Sequence, residues 1–439
     1  MAEKGLFDRE LNRRELLKTV GGGALLLGAG SLAAACGVNL KGSGQGSSGK
    51  IVIGYVSPQT GEAAVFATSD NFLVDTVRRS SAYKNGFKVG GKKYDVEIVV
   101  KDTQSSPNRA SEVARELILS EHADMILTSS APEVTNPVAT VCEANGIPCV
   151  STVVPWESWY FGRGAKPGQT FTYTTCFFFG LKEFAGCFVP MWNRIPNNKI
   201  VAEMYPNDAD GNAFRQNFPP LIKAAGYTPL DGGAYTDGTT DYSGMISKFK
   251  GGPAQVFSNV PLPPDFNTFW KQAVQQGYKP KIATVAKVLL FPSDVAALGD
   301  LVINIATDAW WTPYHPYTST LTGQTAQAYA AEFESQAGQQ WVQTLGSGHS
   351  LFEIAKVAFE GAANPRDRKA VAAQLRTLSY TGISGPVDFS KGPVPGVAII
   401  PPLGVQWKKG TKYPYEMAVV DNSLAPNVPT NGALEPTNA

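Results

Sequence analysis

Nucleophilic, metal-assisted and phosphate chemistry each need a recognisable set of side chains, and none of those sets occurs in this sequence. The three histidines, His122, His315 and His349, share no spacing that would put two of them on one helical face as metal ligands. There is no G-x-S-x-G elbow, no H-E-x-x-H pair and no G-x-x-x-x-G-K-[ST] loop. Neither a metal nor a cofactor is expected, and an exported hydrolase is the weakest of the readings. The chain offers instead hydroxyls, amides, aromatic rings and a lysine, each directly after a short apolar run. In the first part these are Thr60, Ser129, Ser130 and Thr152. In the second they are Tyr205, Asn207, Asp208, Asn259, Lys287 and Trp310. Groups of this kind bind by hydrogen bonding and contact.

Ser129 and Ser130 stand just before a helical pattern. Their hydroxyls, with the free N–H groups of the helix start, would suit a carboxylate, while one of the two could simply be the N-cap. Lys287 could pair with an anionic solute or sit solvated in its loop. The segment Pro155-Trp156-Glu157-Ser158-Trp159-Tyr160-Phe161 is crowded with aromatic rings, which supply large contact area at little rotamer cost. Trp156 is placed as a cleft wall, with Trp159 and Phe161 packing beneath the loop. Trp310 is placed the same way, and Trp311, its neighbour in an extended segment, faces oppositely.

These residues need strands to aim them. From Lys50 onward short β-branched runs alternate with helical patterns, the mark of parallel sheets covered by helices. Strands are read at IVIGYV, YDVEIVVKD, MILT and IPCVS, with amphipathic helices between, giving one doubly wound lobe. A second round begins near Thr170 with strands at NKIVAEMYP, AQVFSNV and PKIATVA, after which INIATDAWW runs back as an extended segment. The helices TAQAYAAEFESQAG and HSLFEIAKVAFEGA have no strands of their own and should pack on the first lobe. The fold class is therefore α/β, two doubly wound parallel-sheet lobes joined by a multi-strand hinge. Lobe 1 is assigned residues 50–169 and 309–378, lobe 2 residues 170–308 and 379–422, and a flexible tail residues 423–439. In such sheets ligands bind beyond the carboxyl ends of the strands, so facing lobes make a cleft lined by the residues named above.

At 439 residues and 43% hydrophobic, the chain has apolar material for more than one core. A net charge of +1 provides no field to hold nucleic acid, so none is expected as partner. The N-terminal NRRELLK around Arg13-Arg14 resembles a twin-arginine export signal. The apolar run from Val20 to Ala35 is too short for a stable membrane span. It closes in Ser31-Leu32-Ala33-Ala34-Ala35-Cys36, which resembles a lipoprotein cleavage box with Cys36 acylated, although Leu32 lies one place further from the cysteine than in the commonest pattern. Residues 1–36 are then a signal and residues 37–49, rich in Gly and Ser, a tether. An exported protein follows, in the periplasm or on the outer cell surface, lipid-anchored through Cys36.

IVIGYVSPQTGEAA, VVKDTQSSPNRASEVARELI and NGIPCVST, in that order and spacing, resemble the branched-chain-amino-acid type of ABC-transporter substrate-binding protein, with its type I periplasmic binding fold. The resemblance runs from about Lys50 to Asn422. It implies a monomer that captures a small-molecule solute by hinge closure and delivers it to the membrane permease of an ABC importer; a ligand-sensing receptor is the alternative on the same fold. Thr152 matches the family position that helps hold a solute's polar end. The acidic residue that holds the α-ammonium in amino-acid-binding members falls in a motif reading GTTDYS here, with Asp241 displaced, and Asp210 stands where a tyrosine is usual. Together with PWESWYFGRG and WWTPYHPYTSTLTGQ, these departures shift the expectation from an α-amino acid to a carboxylate with an apolar or aromatic body. Beyond Cys36 there are Cys142, Cys149, Cys176 and Cys187. Cys142 and Cys149 flank the Asn145-Gly146 turn and could be bridged.

Overall fold

The computed structural model describes residues 49–437. The expected export signal, the expected acylation site Cys36 and the Gly/Ser stretch up to Ser48 lie outside them.

Lobe 1 opens with β1 (Lys50–Ser57), α1 (Asp70–Arg79), α2 (Ser81–Lys84), β2 (Phe87–Val89) and β3 (Lys92–Asp102). α3 (Pro107–Leu119), β4 (Met125–Ser129), α4 (Pro132–Ala144), β5 (Cys149–Thr152), α5 (Trp156–Tyr160) and β6 (Thr174–Phe177) complete its first segment. The helices start where their sequence can satisfy a helix end. Ser106 accepts from the Arg109 N–H, and Pro107 and Pro132 occupy first-turn positions where no N–H is needed. β4 and β5 are buried throughout, as befits strands covered on both faces.

Lobe 2 comprises α6 (Leu181–Arg194), β7 (Ile200–Met204), α7 (Ala209–Ala224), β8 (Thr228–Asp231), α8 (Ser243–Gly251) and β9 (Val256–Asn259). α9 (Pro263–Gln275), β10 (Ile282–Val285), α10 (Pro292–Leu298) and β11 (Ala306–Ala309) follow. The chain then returns to lobe 1 as α11 (Ala326–Ala337), α12 (Thr344–Gly361) and α13 (Arg368–Thr377). A hairpin of β12 (Ser379–Gly382) and β13 (Gly385–Asp388) and the short β14 (Val397–Ala398) come next, before β15 (Leu403–Lys409) and β16 (Tyr415–Asp421) close lobe 2.

Each lobe is built on a seven-stranded sheet, ordered β14-β6-β5-β4-β1-β3-β2 and β16-β15-β11-β10-β9-β7-β8. The chain passes between the sheets after β6, after β11 and after β14. This moves the boundaries read from the sequence. β6 belongs to the first sheet, so lobe 2 begins after Phe177 and not at Thr170. β14 belongs to the first sheet too, so the final return to lobe 2 comes after Ala398 and not at Ser379. Strand β11 does not run back: it pairs parallel with β10, in register Thr284 to Ala306, and only β15 meets it antiparallel. The described part of the expected tail is packed, with Val428 1% exposed, the Asn431 N–H donating to Val419 O and the Thr437 N–H donating to Lys281 O. Its apolar residues complete the lobe 2 core, a contribution invisible in a Pro/Asn-rich composition.

α12 lies against β4, β5 and α1 and is buried over most of its length. Its Gly346 lets Trp311 pack onto the helix backbone; a Cβ there would stand 2.1 Å from the indole. Burial also governs the thiols. Cys142, Cys149, Cys176 and Cys187 are free and buried, so the bridge between Cys142 and Cys149 is not formed in this structure. Burial pushes Cys142 well above the ordinary thiol range, and the neighbouring Cys149 adds to the shift. Thiols kept protonated and covered are poor nucleophiles. In the native protein, peptides carrying Cys142 and Cys149 are therefore expected to resist iodoacetamide and to be alkylated fully after denaturation, as read by mass spectrometry; alkylation of the native protein, or an unreactive pair after denaturation without reductant, would contradict this.

Candidate functional site

The carboxyl ends of β4, β5 and β6 in lobe 1 and of β7, β9, β10 and β11 in lobe 2 converge on a cavity of about 30 Å³. That is room for a water or two, so the lobes stand shut on one another. Its walls are mostly apolar: Phe66, Pro132, Val153 and Phe178 from lobe 1 and the first crossing, Phe184, Val260 and Leu290 from lobe 2, with Trp310 at the second crossing. Phe178 meets Trp310 edge-on at 5.1 Å, and Phe66 meets Phe291 across the lobes at 4.9 Å. Asp210, Lys287 and Asp308 add the charged lining.

Lys287 is the electrostatic centre. Its Nζ lies 2.9 Å from Asp210 and 3.3 Å from Asp208, both at the start of α7, and 3.1 Å from Glu133 in the first turn of α4, in the other lobe. Burial works against the ammonium, but Asp208, Asp210 and Glu133 outweigh it and hold Lys287 well above its ordinary range. Burial raises Glu133 to about 7 against the pull of Lys287, and raises Asp210 in the same way. Asp308, 1% exposed, has no well-formed hydrogen bond at Oδ1, and burial pushes it up to about 7. Ser130, Val153 and Lys287 hold φ values of 134°, 59° and 67°, which residues with side chains rarely adopt. Such strain persists only where the surroundings dictate it, and it clusters at functional sites.

Of the residues proposed from the sequence, Lys287 and Trp310 line the cavity, and Asp208 reaches it through Lys287. The Trp310 indole N–H donates to Ser347 and leaves the ring face as wall. Ser129 ends β4 and Ser130 follows it, just before the lining Ala131; both are buried, and Ser130 Oγ has no hydrogen-bond partner. Asn259 ends β9, fully buried, with neither amide atom bonded, one residue before the lining Val260.

Four residues fall elsewhere. Thr60 is exposed and donates to Asp102, tying down its own loop. The Thr152 hydroxyl donates to Phe177 O, and its neighbour Val153 takes the lining position, as alternation along a strand requires. Trp156 packs on Tyr160, Phe161 and the first crossing, where a Cβ on Gly180 would stand 2.2 Å from its indole nitrogen. Tyr205 is buried against Phe214 with its hydroxyl on Glu203. Sequence reasoning passed over Glu133, Asp308, Phe178 and Phe184. Asp308 was findable, because it sits at the end of the strand whose next residues were chosen. Glu133 was not, since its role depends on the other lobe.

Residues 50–410 match the family model described as periplasmic binding protein. The chain belongs to that family. The expected type I fold is borne out by solved structures of similar shape. A leucine-binding protein from Thermotoga maritima superposes with a TM-score of 0.68 at 17% identity, over 84% of this chain and 98% of that one. An ABC-transporter solute-binding protein from Rhodopseudomonas palustris, solved with 3,4-dihydroxybenzoic acid, gives 0.63 at 18% identity, over 85% and 98%. The isoleucine-bound branched-chain amino acid transporter protein from Streptococcus pneumoniae gives 0.61 at 15%, over 85% and 97%. A periplasmic binding protein is extracytoplasmic and binds solutes, and among the described residues no helix is long and apolar enough to cross a membrane.

Among the described residues of this periplasmic binding protein several carboxyls are buried without a cation partner: Asp308 and Asp294 are raised to about 7 and Glu157 to about 8, in each case chiefly by burial. Each binds its proton more tightly folded than unfolded. Their stability is complete below the ordinary carboxylate range near about pH 4 and is lost as pH rises through 7 to 8. The Tm of the ligand-free protein is expected to fall between about pH 5 and pH 8.5. Asp308→Asn should raise Tm at the alkaline end and leave it unchanged at the acid end; a Tm that climbs with pH over this interval would contradict the reading.

Proposed function

We propose that the chain is the solute-binding component of an ABC importer, exported through its twin-arginine-like signal, held to a membrane by lipid at Cys36, and acting as a monomer. It captures a small organic solute with an apolar or aromatic body by closing the two lobes and presents the closed form to a permease. The observation that carries this reading is the cavity between the strand ends: aromatic and aliphatic walls from both lobes, joined by one ion-pair cluster that spans them. The three lobe crossings suit it, because several strands bend together while limiting twist. A solute that makes contacts to both lobes only when they are shut shifts the population towards that state.

Glu133 and Lys287 pair across the cavity, and this contact is expected to favour closure alongside the Lys412–Glu334 pair that also joins the lobes. Glu133→Gln removes the lobe 1 charge, so the ligand-free protein is expected to open, with a larger radius of gyration by small-angle X-ray scattering and a return to the compact value when solute is added. A radius identical to the parent's would count against the ion pair as the clasp. A thermal-shift screen of small organic solutes tests the capture reading itself; if none raised the Tm, it would fail.

A further inference from the structure

The cavity joins an aromatic wall to a surplus of carboxylates. Among the described residues Lys287 is the one basic side chain in its lining. An ammonium has three N–H donors, and here Glu133, Asp208 and Asp210 surround it at 3.1, 3.3 and 2.9 Å. A solute carboxylate, the group expected from the sequence, would have to displace an internal carboxylate to reach that ammonium. It would also be brought beside Asp308.

A positive group meets the opposite situation. Asp308 is 1% exposed and Asp210 2%, both line the cavity, and neither Oδ1 has a well-formed hydrogen bond. Ser158 Oγ in lobe 1, like Asp210 Oδ1, is buried without a hydrogen-bond partner. A carboxylate oxygen left without a partner in an apolar enclosure is costly, and a cation brought by the solute relieves that cost. Phe178, Phe184 and Trp310 supply aromatic surface on the same cavity, and ring faces attract cations. Further out, burial and then the neighbouring Asp208, Asp265 and Glu62 carboxylates raise Asp237 to about 6, so the field around the site is negative as well.

We propose that the captured solute is a small organic cation, an amine or amidine with an apolar body, whose positive group is held by Asp308 and Asp210 while the body lies against Phe178, Phe184 and Trp310, the lobes closing on it less far than in the ligand-free form, whose cavity holds only a water or two. This rests on the capture reading above and names its substrate class. The charge is met by carboxylates and ring faces, and Lys287 stays with its internal partners as the clasp.

Isothermal calorimetry and thermal shift on the full chain test it with three sets of probes: phenethylamine and benzamidine, phenylacetate and benzoate, phenylalanine and leucine. The amine and amidine are expected to bind and raise the Tm, and the carboxylates to leave it unchanged. Asp308→Asn should weaken amine binding by at least about tenfold while the unliganded variant melts no lower than the parent. Asp210→Asn provides a second variant on the same subsite. Binding of carboxylates or amino acids with amines silent would overturn the cation assignment and leave capture standing. Unweakened amine binding by both variants would overturn the placement at Asp308 and Asp210. Silence from all three sets would count against cation and capture together.

Discussion

An ammonium group buried between two lobes has to find its counter-charges there, and Lys287 finds them on both sides of the gap. Asp208 and Asp210 come with it from lobe 2, and Glu133 comes from lobe 1. Burying such a set is costly, and removing one partner of a buried pair typically destabilises by about 3–5 kcal/mol. The arrangement therefore holds only while the lobes are shut and water is kept out. The aromatic packing of Phe66 on Phe291 and of Phe178 on Trp310 performs that exclusion.

The hinge gives this contact its mechanical setting. The chain crosses between sheets after β6, β11 and β14, and one continuous apolar cluster runs from Ile53 in lobe 1 through Phe178 and Trp310 to Tyr205 and Phe214 in lobe 2. Bending about such a hinge keeps the strand ends opposed. Trp156, wedged on the first crossing at Gly180, helps to fix that crossing's path, and its ring lies there without lining the cavity, to which its neighbour Pro155 contributes.

The order of β-branched runs and amphipathic helices made the two α/β lobes legible, since hydrophobic period is a local property. The strands at Ile51, Met125, Ile200, Val256 and Ile282 lie where that pattern places them. The short edge strands β12 to β14, the final hairpin of β15 and β16, and the packed tail were not legible; their apolar residues are few and gain their burial from distant segments. The same limit applies at the site. Strand ends pointed to the right neighbourhood, but whether Thr152 or Val153 faces the gap is a one-residue question of pleat, and sequence alone does not resolve it.

By itself, then, the sequence determined the class of fold and the alternation that sends strand ends to one side. The tertiary structure decided the charge of the site. Glu133, Asp210 and Asp308 are ordinary surface-type residues in a linear reading, scattered over 176 positions, and only folding brings them to one apolar enclosure around Lys287. The reason is that electrostatic meaning depends on distance and solvent: the same carboxylates, apart and hydrated, would neither share a lysine nor seek a cation.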